Sequence, residues 1–176
     1  MTRKVKDYLL LFGVAGTIIA LDQWTKWLVR ETLPFRGTWL PEWLDWLSPY
    51  ARIVHWHNSG AAFGMFQQGN LIFTVLAFIV IGAILYYYPR VEADDWSLRL
   101  AMGLQLGGAA GNLIDRLLMG RVTDFISVSV LPVFNIADAS ITVGVLVLLL
   151  GVWLKERAIR KQTQDEKSLE SAESGG

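Results

Sequence analysis

The sequence predicts an all-α membrane protein with four transmembrane helices, a small outer-face β cradle and an interfacial segment. Composition is the first indication, because the 176 residues are 53% hydrophobic and only 18% charged, whereas soluble domains carry about 25% charged residues. The second is a series of apolar runs of roughly 20 residues, the length that a helix needs to cross a bilayer. We place the spans at about 7–29, 69–88, 98–119 and 135–154, within one polytopic membrane domain over 1–155.

The first predicted span combines an apolar run with two charges near its far end. Tyr8 to Leu21 is uncharged, and Asp22 and Lys26 follow with the i, i+4 spacing that places them on one helix face. A basic start resembles a signal peptide, but no small-x-small cleavage site follows. The pair could be a helix-end ion pair that lets Lys26 snorkel to the interface. It could also be functional, because a charge at a membrane helix centre costs roughly 2.5–3.5 kcal/mol.

Residues 31–68 do not span and are predicted to lie at the interface. The stretch 52–58 alternates in part and predicts a short strand. It places His55 and His57 on one face, but a zinc site there would need distant carboxylates, so we expect no metal and no other cofactor. A turn of small residues over 58–64 follows. Interfacial aromatic residues are frequent in the segment: Trp39, Trp43, Trp46 and Trp56.

The second and third spans differ in character. The run 69–88 is uncharged and ends at Pro89, whereas 98–119 carries Gly103, Gly107 and Gly111 at the spacing of closely packed membrane helices. One face near the end of the third span is polar, with Asn112, Asp115 and Arg116 at i, i+3 and i+4.

The connection 120–134 alternates in part and predicts a short β element that carries Asp124. The last span follows, with Asn135 and Asp138 on one face. The charged, Ser- and Glu-rich segment 156–176 is predicted to be a disordered cytoplasmic tail.

Charge distribution predicts the orientation. Six Lys and Arg residues fall on one side: Lys26, Arg30, Arg36, Arg52, Arg116 and Arg121. Ten fall on the other: Arg3, Lys4, Lys6, Arg90, Arg99, Lys155, Arg157, Arg160, Lys161 and Lys167. The positive-inside tendency makes the second side cytoplasmic, with both termini, and puts the polar cluster at the outer face. A net charge of zero gives no reason to expect nucleic acid as a partner.

Asp124 and Asp138 are the candidate catalytic pair. Two carboxylates held close together share a proton, so that one can act as a base on water while the other donates to a substrate carbonyl. Absence of cysteine excludes a thiolate nucleophile, and no serine-hydrolase, zinc-protease or phosphate-binding motif competes. Asp115 is the alternative to Asp124, unless a structural ion pair with Arg116 occupies it.

The polar residues form five ordered motifs over residues 8 to 154 that together resemble bacterial lipoprotein signal peptidase, also called signal peptidase II. The motifs are Asp22-Gln-x-Thr-Lys26, Asn58-x-Gly-Ala-Ala-Phe63, Gly107-Gly-x-x-Gly-Asn112-x-x-Asp115-Arg116, Val122-x-Asp124-Phe125 and Phe134-Asn-x-Ala-Asp138. The resemblance implies an aspartyl endopeptidase of the bacterial inner membrane. Such an enzyme removes the signal peptide from diacylglyceryl-modified prolipoproteins, before the lipidated cysteine.

The resemblance also implies roles for individual residues and partners. Asp124 and Asp138 would be catalytic, and the Trp-rich segment 39–66 would form a cradle and lid. We expect contact with membrane lipid, inhibition by globomycin-type peptides and a monomer. His57, Ser59 and Thr123 depart from the family's usual residues, and the connection from Asp124 to Asp138 is short. The supporting residues would be Asp22, Lys26, Asn58, Gly108, Asn112, Asp115, Arg116, Asn135 and Ala137.

Two other classes of function compete with a peptidase. Membrane carboxylates also serve as relays in proton-coupled transporters, although no internal repeat or broken helix is visible here. A non-enzymatic assembly protein would explain the glycines, but it leaves Asp124 and Asp138 unexplained.

Overall fold

The computed structural model describes residues 3–58 and 69–174, and four long helices dominate it. These helices are α1 (Arg3–Thr32), α2 (Gly69–Tyr87), α3 (Trp96–Met119) and α4 (Ile136–Ser174). Within the described ranges, α1, α2 and α4 are long and apolar enough to cross a membrane, over Tyr8–Thr32, Gly69–Arg90 and Ile136–Gln164. The predicted four-helix membrane fold is confirmed.

Helix α3 lies between the other three and forms the centre of the bundle. Its 24 residues span about 36 Å at 1.5 Å per residue, and α1, α2 and α4 all pack against it. Among the described residues it is not one of the helices apolar enough to span by composition, and its polar residues and glycines are largely covered by protein. The helix begins at an N-cap, Asp95, and ends at Gly120 with a φ of 68°, a left-handed conformation that favours glycine.

The glycines of α3 bring it against α1, as their spacing predicted. A Cβ at Gly107 would lie 2.7 Å from the Cβ of Ile18, and one at Gly111 would lie 2.7 Å from Oδ2 of Asp22. Real side chains do not approach so closely, so only glycine permits this helix separation. The close approach carries the carboxylate of Asp22 onto the surface of α3.

A three-stranded antiparallel sheet closes one end of the bundle. Strands β1 (Thr38–Trp39), β2 (Ala51–Asn58) and β3 (Val122–Val128) lie in the order β1-β2-β3. Trp56 pairs with Asp124, and the β2–β3 register shifts between Ile53 and Trp56. The two predicted β segments are therefore present. Strand β1 and a 3-10 helix over Glu42–Leu47 were not predicted. Tryptophan side chains in the segment are exposed: Trp39, Trp43, Trp46 and Trp56.

Helix α4 is much longer than its predicted span. The backbone is helical as far as Ser174, over most of the segment 156–176 for which disorder is predicted. Nucleation is the costly step of helix formation, and the membrane span already supplies it. Lys, Glu, Arg and Ala then propagate the helix at little cost, aided by an i, i+4 ion pair between Arg160 and Glu156 at 3.7 Å.

Candidate active site

Two carboxylates from different elements meet at the sheet end of the bundle. Asp124 lies on β3 and is 1% exposed, whereas Asp138 is half-buried in the first turn of α4. Asn135 links them, because its side-chain amide donates to Oδ1 of Asp124 at 2.7 Å and its Oδ1 accepts from the backbone N–H of Asp138 at 3.0 Å. The two predicted catalytic residues are thus held by one shared partner.

The link from Asn135 to Asp138 is a reciprocal helix cap. Oδ2 of Asp138 accepts from the backbone N–H of Asn135 at 3.3 Å, while the Asn135 side chain caps the N–H of Asp138. This is the capping-box arrangement, with an aspartate in the third helical position. It fixes the Asp138 side chain at the positive end of the α4 dipole, where negative charge is favoured.

Asn112 of α3 holds the other oxygen of Asp138. Its Nδ2 donates to Oδ1 of Asp138 at 2.8 Å, and its Oδ1 accepts from Nζ of Lys26 at 2.9 Å and from the Asn135 amide at 3.1 Å. Asn112 and Asn135 are both buried. The side chains from α1, α3, β3 and α4 therefore form one continuous hydrogen-bond network.

Lys26 lies at the base of this network, completely buried. Its Nζ is 2.8 Å from Oδ2 of Asp22 and 3.3 Å from Oδ2 of Asp115, and all three side chains are fully buried. The interpretation in which Lys26 snorkels to the interface is therefore wrong. The ammonium points into the bundle because two carboxylates and the amide oxygen of Asn112 replace water around it.

Asp115, the alternative to Asp124, is engaged in this cluster. It accepts from the backbone N–H of Thr123 at 3.0 Å and from Nε2 of Gln23 at 3.0 Å, and Arg30 lies 3.9 Å away. Its close ion pair is thus with Lys26 rather than with Arg116. The hydrogen bond to Thr123 ties the end of α3 to β3, one residue from Asp124.

Gln23 is a network residue that sequence reasoning did not select. Its Nε2 contacts Oδ2 of Asp22 at 3.2 Å and donates to the backbone carbonyl of Gly111 at 3.0 Å, as well as to Asp115. Its position between Asp22 and Lys26 in a membrane helix could have indicated a role in the site, because an amide side chain there needs a buried hydrogen-bond partner.

Asp22 anchors the start of α4, and small residues make room for it. Its Oδ1 accepts from the backbone N–H of Ala137 at 3.0 Å, and Ala137 is fully buried. A Cβ at Gly108 would lie 2.5 Å from the carbonyl oxygen of Ala137 and 2.6 Å from Oγ of Ser140. Gly108 therefore permits α3 and α4 to approach at the level of the carboxylates.

Asp124 has the environment of a carboxylic acid that keeps its proton. Burial, together with the nearby charge of Asp138, raises the pKa of Asp124 to about 7, against an opposing effect of the hydrogen bonds from Asn135 and Asn58 and the charge of Lys26. Burial likewise lowers the pKa of His57 on β2 to about 4, so that its ring is neutral near pH 7. A group that titrates near neutrality, beside a second carboxylate, is suited to acid–base chemistry.

A cavity of about 470 Å³ opens beside Asp138, between α2, α3 and α4. Asn58, Gln105, Asn112 and Arg116 supply the rest of its polar lining. The guanidinium of Arg116 lies over the ring of Phe73 at 5.5 Å. The rest of the lining is mainly apolar: Phe73, Leu76, Ala77, Val80, Ala109, Ile141 and Val145. The turn predicted after Asn58, and part of the predicted lid, fall on 59–68, outside the described residues.

His55 and His57 share one face of β2, as predicted. Their ring centroids are 4.9 Å apart, and Nδ1 of His55 lies 2.8 Å from the carbonyl oxygen of Leu33. Over residues 3–58 and 69–174, no three His, Cys, Asp or Glu side chains are grouped to hold a metal ion.

The chain is similar to known membrane peptidases over most of its length. The family model for signal peptidase (SPase) II matches residues 14–154. A lipoprotein signal peptidase of Symbiobacterium thermophilum is 38% identical, over 82% of this chain and 94% of that protein. One from Shouchella clausii is 40% identical, over 86% and 97%. The fold matches a solved bacterial membrane enzyme with a TM-score of 0.72 at 27% identity, covering 83% of this chain and 88% of that one. These matches confirm the predicted relationship: the chain belongs to the signal peptidase II family.

Proposed function

We propose that this membrane peptidase is an aspartic endopeptidase that removes the signal peptide from diacylglyceryl-modified prolipoproteins. Family membership supports a peptidase that acts on lipoprotein signal peptides. The aspartic mechanism rests on one observation, the bridge that Asn135 makes between the two carboxyl groups: its side-chain amide donates to Asp124 and its backbone N–H donates to Asp138.

The bridged pair can hydrolyse a peptide bond without a covalent intermediate. The ionised aspartate removes a proton from water as the oxygen attacks the scissile carbonyl carbon, and the protonated aspartate donates to the carbonyl oxygen. In the second step the C–N bond breaks as the leaving nitrogen takes a proton from the pair, and the carbonyl re-forms as one hydroxyl of the tetrahedral intermediate returns its proton to the other aspartate. The pair ends with one proton, as it began.

The cavity beside Asp138 supports an apolar peptide as substrate. Its walls are mainly aliphatic, and the polar side chains of Asn112, Arg116 and Asp138 line it together, whereas Gln105 lies about two turns away along α3. A signal peptide is apolar in its central region, so it would lie along the walls with the scissile bond at the carboxylates. Arg116 and Asn58 would contact the substrate backbone.

The proposed setting is the bacterial inner membrane, with the site at its outer face. The excess of Lys and Arg at the opposite end supports cytoplasmic termini. Lys155 of α4 pairs with Asp95 at the start of α3 at 2.6 Å, which puts both at that end. The diacylglyceryl group would remain in membrane lipid during cleavage, and a globomycin-type peptide would compete for the site.

The test is cleavage of a diacylglyceryl-modified prolipoprotein by the purified protein in lipid. Asp124→Asn and Asp138→Asn should insert normally and lose cleavage by roughly 10²–10⁴-fold, the usual contribution of a general acid or base. Asp115→Asn should keep a larger fraction of the activity, since Asp115 does not contact the pair. The same prolipoprotein without diacylglyceryl is the control for substrate class.

The outcomes separate the parts of the proposal. If Asp115→Asn is inactive and Asp124→Asn cleaves, the assignment of the pair is wrong. If wild type cleaves modified and unmodified substrate equally well, the assigned substrate class is wrong. If wild type cleaves neither, the proposed function is wrong.

A further inference from the structure

The contact between Lys26 and Asn112 fixes the orientation of one amide in the site. An ammonium group has three donors and no acceptor, so the Asn112 atom 2.9 Å from Nζ of Lys26 is the oxygen. The NH₂ group of Asn112 must then face Asp138, where it donates to Oδ1 at 2.8 Å. Lys26, together with the Asn135 amide that donates to the same oxygen at 3.1 Å, therefore decides which end of the Asn112 amide faces Asp138.

Both oxygens of Asp138 consequently accept hydrogen bonds from groups that can only donate. Oδ1 accepts from the Asn112 amide, and Oδ2 accepts from the backbone N–H of Asn135 at 3.3 Å. A proton on either oxygen would displace one of these donors. The N-terminal end of α4 also favours the carboxylate form, and Asp138 lines the cavity through which water and substrate enter.

Asp124 differs from Asp138 in its burial rather than in its hydrogen bonds, because it too accepts from an amide. The Asn135 amide is fixed by the backbone N–H of Asp138, so its NH₂ faces Oδ1 of Asp124. Asp124 is 1% exposed and is not part of the cavity lining, and burial disfavours a carboxylate. The charged groups whose fields reach it are Lys26 of α1, Arg116 of α3 and Asp138 of α4, and Asn58 of β2 also bonds to its side chain.

We propose that Lys26 is a positioning residue that, by fixing the Asn112 amide, makes Asp138 the ionised member of the pair and leaves the shared proton on Asp124. This inference rests on the proposed function and assigns the roles within it. Asp138 is the base that takes the proton from water, and Asp124 is the acid that donates to the scissile carbonyl. Lys26 touches neither the substrate nor the pair; it acts through Asn112.

The test is the pH dependence of kcat and kcat/KM for three variants, with a matched control. Lys26→Met roughly keeps the length of the side chain but removes the shorter of the two hydrogen bonds to the Asn112 oxygen, leaving the one from Asn135. Asn112→Ala removes the donor to Asp138. Each should lower kcat by roughly 10–100-fold, as loss of an orienting partner typically does, with KM little changed. In each, the acid limb of kcat/KM should move to higher pH than in wild type, because the hydrogen bond to the Asp138 carboxylate is lost or less firmly held.

The double variant Lys26→Met/Asn112→Ala distinguishes an orienting role from a purely electrostatic one. If Lys26 acts through Asn112, the double variant should match Asn112→Ala in kcat and in its acid limb, because coupled residues are not additive. Arg30→Met is the control: it removes a cation one turn further along α1 that bonds Thr123 and not Asn112. Its acid limb should stay at the wild-type position.

Three results would overturn the inference. The first is a Lys26→Met acid limb that stays at the wild-type pH. The second is a double variant whose losses multiply, and the third is an Arg30→Met shift as large as that of Lys26→Met. If Lys26→Met does not insert into the membrane, the double variant Lys26→Met/Asp115→Asn is compared with Asp115→Asn. The double variant leaves only Asp22 as a buried carboxylate without its lysine partner, whereas Lys26→Met leaves both Asp22 and Asp115 without it. Wild-type cleavage in the same assay separates failure of this inference from failure of the proposed function.

Discussion

Asp124→Asn should make the protein inactive and, at alkaline pH, more stable than wild type. Burial raises the pKa of Asp124 from its ordinary value of 3.8 to about 7. The folded state therefore holds this proton more tightly than the unfolded state. Its contribution to stability is complete below about pH 4 and is lost as the pH rises toward and through about 7. Asparagine has the same shape and carries no charge at any of these pH values.

The size of the effect follows from the displacement of the pKa. One pKa unit corresponds to about 1.36 kcal/mol, so wild type should lose about 2–3 kcal/mol relative to the variant between pH 5 and pH 8. The measurement is thermal or denaturant unfolding of both proteins in the same lipid or detergent at several pH values. The variant's advantage should grow with pH and level off above the pKa of Asp124.

A companion variant tests the cause of the displaced pKa. The charge of Asp138 is the second-largest reason that the pKa of Asp124 is raised, after burial. Asp138→Asn should therefore give a shallower loss of stability with pH than wild type, but not a flat one. A constant difference in stability between Asp124→Asn and wild type from pH 5 to pH 8 would refute the assignment of a retained proton to Asp124.

Three further outcomes are expected. Gly108→Ala should lower activity and stability, because the new Cβ would lie 2.5 Å from the carbonyl oxygen of Ala137. Gly82→Ala should be tolerated, because a Cβ there would have no neighbouring atom within 4 Å among the described residues. Equal effects of the two substitutions in unfolding and cleavage assays would contradict this. Burial lowers the pKa of His57 to about 4, so the neutral His57 ring contributes to folding stability above pH 6.5, and this contribution is lost as the pH falls toward 4. His57→Gln should keep the wild-type pH profile of cleavage between pH 6 and 8. Cleavage should survive EDTA and fall at high pH as Asp124 ionises, so full inhibition by EDTA would reject the metal-free mechanism.

Much of this fold could be predicted from local pattern alone. Apolar runs of membrane length located the helices, because a helix in lipid must satisfy its own backbone and present apolar side chains. The extension of α4 to Ser174 could not be read from composition. The segment is polar enough to be disordered by itself, and it is helical because it continues an existing helix. Strand β1 has only two residues, Thr38 and Trp39, too few to show the alternation of apolar and polar residues by which a strand is predicted.

The site was predictable as a set of residues but not as a network. Sequence spacing put Asn112, Asp115 and Arg116 on one face, yet it could not show that Asp115 turns toward Lys26 while Asn112 turns toward Asp138. That choice depends on how α1 and α4 pack around α3, which is tertiary information. For the same reason, the contacts of Gln23 to α3 could not be foreseen.

The buried charges of α1 are not needed to hold that helix in place. Gly103 and Gly107 already bring α3 against Val14 and Ile18 by close packing, and a buried ion cluster is often no more stabilising than apolar side chains of the same volume. Lys26, Asp22 and Asp115 therefore require an explanation other than helix association. Each of them makes a contact that leads to the proposed catalytic pair: Lys26 to Asn112, Asp22 to the backbone of α4 before Asp138, and Asp115 to the backbone of β3 before Asp124. A desolvated ammonium with fixed acceptors holds these three attachments in one geometry.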